Sequence, residues 1–299
     1  MTLAMRIGLL GFGEVGQILG QDLPIYRVPN LAFDLQFETP NSRQLIAQKQ
    51  NPRTERSGQP SSLGCECDIV ISAVTAENTE AAAHSVSADL KPNSWFLDLN
   101  SSSPETKKRT ALLINKAGGR YVEAAVMSPV PPKRLGSPIL LGGPYAKAFL
   151  DTGTTLGFSN LSVFSESYGT ASAAKMCRSV MIKGMEALLT ESLVTARAYG
   201  VEQTVLASLN DLFPGPDWPT LSGYMIGRAL EHGGRRAEEM REVAKTVAHT
   251  GLNPSMSVAT VLVQDWAKRY PEFQKLDALE ATLDALGEAA RQTPLGDAA

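Results

Sequence analysis

Cysteine and histidine are scarce in this 299-residue chain, which has three of each. Cys65 and Cys67 are separated by one residue and Cys177 lies in a helical stretch. This spacing fits neither a disulfide framework nor a metal site, and the histidines are not spaced as metal ligands. We therefore predict free thiols and no metal, which is typical of a reduced, cytoplasmic setting.

Long hydrophobic runs and a strong excess of one charge are also lacking. No apolar run approaches the roughly 18 residues that a membrane span needs. The N-terminus passes directly into a predicted strand, which is unlike a signal peptide. The net charge is −3 without a basic stripe, so we expect no nucleic-acid partner. The 43% of hydrophobic residues can supply a substantial core, and the length favours two domains.

A glycine-rich turn near the N-terminus follows a short apolar run and precedes a helical pattern. The turn reads Gly11, Phe12, Gly13, Glu14, Val15, Gly16. In this G-x-G-x-x-G pattern Gly11 permits the tight turn, Gly13 lets a pyrophosphate approach the backbone, and Gly16 lets the helix pack on the strand. The free N–H groups of the helix N-terminus favour a phosphate, so we predict a dinucleotide site here.

The first half of the chain alternates apolar runs with helical stretches, as in a doubly wound parallel sheet. Strands are predicted at 6–10, 31–34, 68–74, 94–98, 120–126 and 138–141, and helices at 15–21, 79–88 and 104–116. The polar, proline-containing segment 38–64 is expected to be mostly loop, with a short helix at 42–50.

The second half has helical periodicity and few strand signals. Helices are predicted at 173–198, 201–212, 218–231, 235–250, 255–269 and 271–292, with a break at the glycines Gly233 and Gly234. We predict an α/β Rossmann-type dinucleotide-binding domain over residues 1–165, followed by an all-α domain over residues 166–299. The large apolar helix faces of the second domain favour a homodimer.

An acidic residue, Asp34, ends the second predicted strand. A carboxylate at this spacing can accept hydrogen bonds from the adenosine ribose and repel a 2′-phosphate, which favours NAD. The nearby Arg43 and Lys49 leave NADP open, and Asp34 is alternatively an acid that ends the strand in a turn.

Hydroxyl residues lie near the ends of two further predicted strands. Thr75 follows Val74, and Ser101 follows the strand that ends at residue 98. Ligands of open α/β sheets bind at the carboxyl ends of strands, so these residues are candidates for binding. Ser103 before Pro104 is alternatively a helix cap, and both roles are compatible.

The first helix of the second domain carries Lys175, Ser179 and Lys183 at intervals of four, which places them on one face. Their neighbours are apolar or small. A lysine in such surroundings is either a snorkelling surface residue or a buried functional one. The helical pattern alone favours the surface interpretation.

Three segments, taken in order, resemble the β-hydroxyacid dehydrogenases, which include 6-phosphogluconate and 3-hydroxyisobutyrate dehydrogenases. They are the glycine-rich turn, residues 98–104 and residues 169–175, which end in Lys175. The similarity spans essentially the whole chain, and its C-terminal half looks like a less-studied branch. The resemblance implies an NAD(P)-dependent enzyme that transfers a hydride between nicotinamide and a small hydroxy acid or related alcohol.

The resemblance also implies residue roles. Lys175 would be the general acid or base, and Ser101 would contact both cofactor and substrate. Val74 and Thr75 would join the glycine-rich turn, including Phe12, Glu14 and Val15, in holding the cofactor. Ser128, Ser179 and Lys183 would contact the substrate, and the helical second domain would be the substrate domain.

The sequence departs from the family pattern at three places. The substrate loop at 127–132 reads Met-Ser-Pro-Val-Pro-Pro in place of Ser-Gly-Gly. Ser179 stands where several relatives have asparagine, and a Lys-Asp pair appears as Ala237 and Glu238. The reaction centre therefore looks retained while the substrate shell is altered, so the family's usual substrates cannot be assumed.

Charged residues of the helical half have two interpretations each. Lys183 is either a charge at the rim of the site or a group that assists Lys175 or holds a substrate carboxylate. Arg235 and Arg236 either bind an acid group, at a dimer interface, or form a solvated helix turn. Glu186 and Glu191 are expected to be structural partners of nearby cations.

Two other functions stay open. The same fold can deliver a hydride to a C=N bond, as in an imine or ketimine reductase, although Lys175 favours alcohol chemistry. A non-catalytic dinucleotide-binding protein is the second alternative, because the asparagine of several relatives is missing.

Overall fold

The computed structural model describes residues 5–276 and 278–292. The chain folds as two compact units, Met1–Met176 and Cys177–Ala299. Within the described ranges, no helix combines the length and apolar composition that crossing a bilayer requires.

Unit 1 is built on a single sheet of eight strands. The strands are β1 (Ile7–Leu10), β2 (Asn30–Phe33), β3 (Thr54–Arg56), β4 (Ile69–Ser72), β5 (Trp95–Asp98), β6 (Arg120–Val126), β7 (Ile139–Gly142) and β8 (Leu161–Ser165). Their order is β3-β2-β1-β4-β5-β6-β7-β8, and the pairing is parallel except between β6 and β7. The order reverses at β1, as in doubly wound nucleotide-binding sheets.

Helices cover both faces of this sheet. They are α1 (Glu14–Asp22), α2 (Arg43–Lys49), α3 (Ser61–Glu66), α4 (Thr79–Ser87), α5 (Pro104–Lys116) and α6 (Ala146–Thr155). Neighbouring residues of β1 point to opposite faces, so Leu9 packs in one buried cluster and Leu10 in the other. Burial on both faces explains the continuous apolar runs, and the predicted α/β Rossmann-type class is confirmed.

Four elements of unit 1 were not predicted. The segment expected to be mostly loop contains β3 and α3, and the C-terminal part of unit 1 adds α6 and β8. Strands β3 and β8 lie at the two edges of the sheet, and most of their residues are partly or fully exposed. Edge strands lack the apolar run by which the central strands are recognised.

Unit 2 consists of helices, the first of which begins in unit 1. This confirms the all-α class predicted for the second half of the chain. The helices are α7 (Thr170–Ala198), α8 (Glu202–Leu212), α9 (Trp218–His249), α10 (Ser255–Ala267) and α11 (Leu279–Gln292). The two units divide within α7, whereas the sequence places the domain boundary near residue 165. That boundary and the roles assigned to the second domain stay predictions.

The predicted break at 232–234 is wrong, because α9 runs through it. A Cβ on Gly233 would stand 2.5 Å from the Gln264 carbonyl oxygen of α10. Gly233 therefore allows two helices to approach closely and does not end one. The single helix predicted at 271–292 is also wrong: a 3₁₀ turn, Pro271–Lys275, precedes α11.

Candidate active site

The glycine-rich turn connects β1 to α1 in a conformation that needs glycine at two positions. Gly11 has φ +98°, and a Cβ there would stand 2.5 Å from the Ala73 carbonyl oxygen. A Cβ on Gly16 would stand 2.2 Å from the Gly11 carbonyl oxygen, so the helix packs directly on the turn. Gly13 is different: it caps α1, and a Cβ there would meet no described atom within 4 Å. The space at Gly13, beside the free N–H groups of the first helical turn, suits a phosphate.

Gly13→Ala is expected to weaken dinucleotide binding by about 10-fold or more, because the methyl group would occupy the space in which a charged hydrogen-bond acceptor sits. The fold should be retained, since nothing in the protein opposes the methyl group. Calorimetric titration with NAD and NADP measures the affinity, and circular dichroism checks the fold. Gly223→Ala in α9, where a Cβ also meets nothing within 4 Å, is the control. Unchanged affinity in Gly13→Ala would remove the phosphate role from this turn.

Asp34 joins the end of β2 to the glycine-rich turn. Its Oδ2 accepts a hydrogen bond from the Phe12 N–H at 2.6 Å, and its Oδ1 accepts from the Gln36 N–H at 2.8 Å. The second bond caps a 3₁₀ turn, Leu35–Glu38. Asp34 therefore has the turn role that the sequence left open. The remaining lone pairs of its carboxylate can still accept hydrogen bonds from a ligand.

Asn100, which the sequence did not single out, connects the carboxyl ends of β4 and β5. Its Oδ1 accepts from the Val74 N–H at 2.7 Å, and its Nδ2 donates to the Ser72 Oγ at 2.9 Å. The segment that carries Thr75 is thereby fixed against the segment that carries Ser101. Thr75 itself is exposed at the end of the sheet where ligands are expected.

Lys175 and Ser101 are brought together within unit 1. Lys175 Nζ donates to Ser101 Oγ at 2.6 Å, and both side chains are partly buried. Lys175 is therefore not a fully solvated surface lysine, contrary to what the helical pattern alone favours. Ser128 is not part of this pair: its Oγ donates to the Pro129 carbonyl oxygen in the turn after β6. Ser103 caps α5 as predicted.

A buried ion pair, also missed from the sequence, lies just before Ser101. Asp98 Oδ1 is 2.8 Å from Lys107 Nζ, and both side chains are almost completely buried. The Tyr121 hydroxyl donates to Asp98 Oδ2 at 2.7 Å, and Asp98 Oδ1 also accepts from the Asn100 N–H at 2.9 Å. Burial and the Asp98 carboxylate hold the pKa of Tyr121 well above its ordinary value, so the phenol stays protonated and donates.

The candidate residues of unit 2 form their own charged network. Lys183 Nζ lies 2.8 Å from Glu239 Oε2 and donates to Ser179 Oγ at 3.2 Å. Lys183 is largely buried, so its charge is balanced by Glu239 rather than by solvent. Ser179 and Lys183 are therefore hydrogen-bonded to each other, and Lys183 is also paired with Glu239.

Arg236 is buried against Glu186, whose Oε2 also accepts from Gln264 Nε2 at 3.0 Å. Burial raises the pKa of Glu186, and the guanidinium of Arg236 opposes that shift. The interpretation of Arg236 as a solvated turn residue is thus wrong. Arg235 is exposed beside Glu239. Among residues 5–276 and 278–292, no group of three or more His, Cys, Asp or Glu side chains is arranged to hold a metal ion.

The chain is similar in sequence and structure to two relatives whose functions are unknown. A family model described as a domain of unknown function, DUF1932, matches residues 196–267. A conserved hypothetical protein from Sinorhizobium meliloti is 35% identical, covers 96% of this chain and 97% of its own, and gives a TM-score of 0.71. A conserved protein of unknown function, described as structurally similar to 3-hydroxyacid dehydrogenases, is 30% identical over 90% of this chain and 99% of its own, with a TM-score of 0.67.

More distant matches include two enzymes with named activities and a protein solved with a bound cofactor. The human mitochondrial 3-hydroxyisobutyrate dehydrogenase is 21% identical over 218 residues, which span 71% of this chain and 63% of the human enzyme. A protein solved in complex with NADP⁺ is 15% identical with a TM-score of 0.66, and an imine reductase from Streptomyces aurantiacus is 16% identical with a TM-score of 0.53. Each of these two alignments covers 94% of this chain and 99% of the other. The two solved structures share the fold with this chain.

Proposed function

Because the chain belongs to the 3-hydroxyisobutyrate dehydrogenase-like family of 3-hydroxyacid dehydrogenases, an oxidoreductase family, we propose that it transfers a hydride between a nicotinamide cofactor and a small hydroxy acid or related alcohol. The observation that carries this proposal is the 2.6 Å hydrogen bond from Lys175 Nζ to Ser101 Oγ. It lies beyond the carboxyl end of β5, where open α/β sheets bind ligands. This pairing of a proton-transfer group with a hydroxyl supports the proposal.

The glycine-rich turn fits a dinucleotide. Gly13 leaves open the space into which a Cβ would point, and Gly11 and Gly16 are required by the close backbone around it. The backbone N–H groups of Glu14 and Val15, in the first turn of α1, would bind the phosphates. Val74 and Thr75 would line the same edge of the sheet. When bound, the nicotinamide accepts the hydride in oxidation and donates it in reduction.

Lys175 carries the proton in the proposed mechanism. In the oxidation direction its neutral amine removes the proton from the substrate hydroxyl, and in reduction its ammonium returns that proton. Ser101 orients Nζ by accepting its hydrogen bond, and its hydroxyl remains able to donate to a substrate oxygen. Ser128, Ser179 and Lys183 are proposed to contact the substrate because of their places in the family pattern. The pairing of Lys183 with Glu239 favours a rim role over that of a free cation.

NAD is the proposed preference, and Asp34 is its basis. Two backbone N–H groups hold the carboxylate at the end of β2, where a negative charge would repel a 2′-phosphate. Asp34→Ser is expected to change the ratio of kcat/KM for NAD over NADP by about 10-fold or more in favour of NADP, because a charged hydrogen-bond acceptor is lost. Steady-state kinetics with both cofactors measures this ratio.

Two matched variants separate charge from shape in this test. Asp34→Asn removes the charge at nearly constant size, so it should shift the ratio in the same direction. Glu38→Gln, an exposed residue of the adjacent 3₁₀ turn, should leave the ratio unchanged. A wild-type protein that already uses NADP much better than NAD would contradict the assignment.

A homodimer is proposed for the assembly. Large apolar side chains are exposed on two helices of unit 2, as expected for a surface that a second copy covers. They are Met181 and Leu188 on α7 and Met256, Val258 and Leu262 on α10.

The alternative activity is reduction of an imine or ketimine, because the chain shares its fold with an imine reductase and its loop at 127–132 departs from that of the hydroxyacid dehydrogenases. Lys175 favours alcohol chemistry, because iminium reduction needs less of a base. A panel of hydroxy acids, tested with NAD and NADP and followed at the nicotinamide absorbance band, separates these functions. Reduction of NAD by a hydroxy acid supports the proposal. Oxidation of the reduced cofactor by imines alone supports the alternative, and binding without turnover indicates a non-catalytic nucleotide-binding protein.

A further inference from the structure

We infer that Glu123 is a positioning residue for Lys175, and that it acts through the first turn of α7. Glu123 lies in β6 and its side chain is completely buried. The inference rests on the proposed role of Lys175 and adds a residue that neither the glycine-rich turn nor the family pattern points to.

Both carboxylate oxygens of Glu123 bind the start of α7. Oε2 accepts from the Gly169 N–H and Oε1 accepts from the Ser172 N–H, each at 2.6 Å. Both oxygens act as hydrogen-bond acceptors, as the oxygens of a carboxylate do. The first N–H groups of a helix have no partner within the helix and carry partial positive charge, so an anion there is stabilised.

The N–H groups at the start of α7 are the hydrogen-bond partners of this buried carboxylate. No Lys or Arg of residues 5–276 and 278–292 forms an ion pair with Glu123 within 4.0 Å. A buried carboxylate without polar partners is strongly destabilised, so moving the start of α7 away from Glu123 is unfavourable. The place of the first helical turn is thereby fixed relative to the sheet.

Glycines make room for the contact. Gly142 of β7 is the register partner of Glu123, and a Cβ there would stand 2.7 Å from Glu123 Oε2. Gly169 has φ +90°, a left-handed conformation that glycine adopts without strain and that turns the chain into the helix. The carboxylate thus reaches both N–H groups from a strand whose other fully buried residues are Tyr, Val and Ala.

Lys175 lies one helical turn beyond Ser172, so the fixed first turn determines where its side chain begins. Ser101, which accepts the hydrogen bond from Lys175, is positioned by β5, the strand next to β6. Asp98 of β5 is the register partner of Glu123 in β6, and Asp98 fixes the segment of Ser101 through the Asn100 N–H. Two adjacent buried carboxylates therefore hold the two ends of the hydrogen bond between Lys175 and Ser101.

A double-mutant cycle tests this inference. Glu123→Gln keeps the size of the side chain but leaves one acceptor oxygen, and its amide N–H groups oppose those of the helix. We expect kcat to fall by about 10–100-fold, as for loss of a charged hydrogen bond, while KM for the cofactor changes by less than about 2-fold. In a Lys175→Met background the same replacement should change the residual rate by less than about 2-fold, because its effect passes through Lys175.

Two further measurements distinguish a local effect on the start of α7 from a general loss of stability. Amide hydrogen exchange over residues 169–176, followed by mass spectrometry, should be about 10-fold faster or more in Glu123→Gln whether or not a substrate is known. Val86→Ala in α4, a buried apolar truncation remote from α7 in sequence, should lower stability without lowering kcat. If Glu123→Gln fails to fold, Glu123→Asp keeps the carboxylate with a shorter reach and takes its place in the cycle: it should lower kcat when Lys175 is present and leave the residual rate of Lys175→Met unchanged.

The outcomes separate this inference from the proposed function. Equal losses of kcat from Glu123→Gln in both backgrounds, or unchanged exchange over residues 169–176, would overturn the positioning role. Loss of turnover in Lys175→Met with normal kcat in Glu123→Gln would overturn it too while leaving the proposed function intact. Normal turnover in Lys175→Met would remove the proposed function itself.

Discussion

Lys175→Met is expected to lower the turnover rate by about 10²–10⁴-fold, the usual contribution of a general acid or base. Methionine keeps the length of the side chain but cannot move a proton, and it leaves Ser101 Oγ without the hydrogen bond that lysine provides. Cofactor affinity should be nearly unchanged, because the proposed phosphate site lies at the glycine-rich turn. Steady-state kinetics gives the turnover rate, and a nicotinamide fluorescence titration gives the dissociation constant.

Lys183→Ala is the comparison for this prediction. Lys183 lies two turns further along the same helix and is paired with Glu239, so its loss should cost less and act mainly on substrate affinity. Near wild-type turnover in Lys175→Met would contradict the mechanism. A larger loss from Lys183→Ala than from Lys175→Met would move the acid–base role to Lys183.

Lys107→Met is expected to destabilise the protein by about 3–5 kcal/mol, the usual cost of removing one partner of a buried ion pair. The replacement would leave the Asp98 carboxylate buried without its cation, with hydrogen bonds from the Tyr121 hydroxyl and the Asn100 N–H. Urea denaturation, followed by intrinsic fluorescence, measures the change in the free energy of unfolding.

Lys108→Met provides the matched control for that measurement. Lys108 is the next residue on α5, is exposed, and forms an ion pair with Glu105 at the surface. Such pairs contribute about 0–1 kcal/mol, so the control should lose little stability. Similar losses of stability in the two variants would show that the Asp98–Lys107 ion pair contributes no more to the free energy of unfolding than a surface pair does.

The sequence predicts those parts of the fold that depend on local pattern. The central strands are recognised because they are buried on both faces and therefore continuous in apolar residues, and the glycine-rich turn is recognised by its spacing. Gly233 was misinterpreted because a glycine that ends a helix and one that lets another helix approach look alike in one chain. Strand β3 reads Thr-Glu-Arg, so hydrogen bonding to β2 and not composition makes it a strand.

The candidate active site could be predicted from the sequence less completely than the fold. Helical periodicity could not identify Lys175, and only the resemblance to a family pointed to it. Asp98, Lys107 and Glu123 were missed because their partners are set by the folded sheet: Glu123 binds N–H groups of residues 46 and 49 positions away. A signal was present, since Glu123 is a charged residue within an apolar strand, and such a residue must find partners when buried.

The most direct test of the central proposal is transfer of a labelled hydride. The protein is incubated with reduced nicotinamide cofactor deuterated at both hydrogens of C4 and a mixture of keto acids, and the products are identified by mass spectrometry. We predict that deuterium appears on the carbinol carbon of a hydroxy acid with the wild-type protein and that Lys175→Met lowers this transfer by about 10²–10⁴-fold. Deuterium in an amine formed from an added imine but in no hydroxy acid, or in no product at all, would contradict the proposed function.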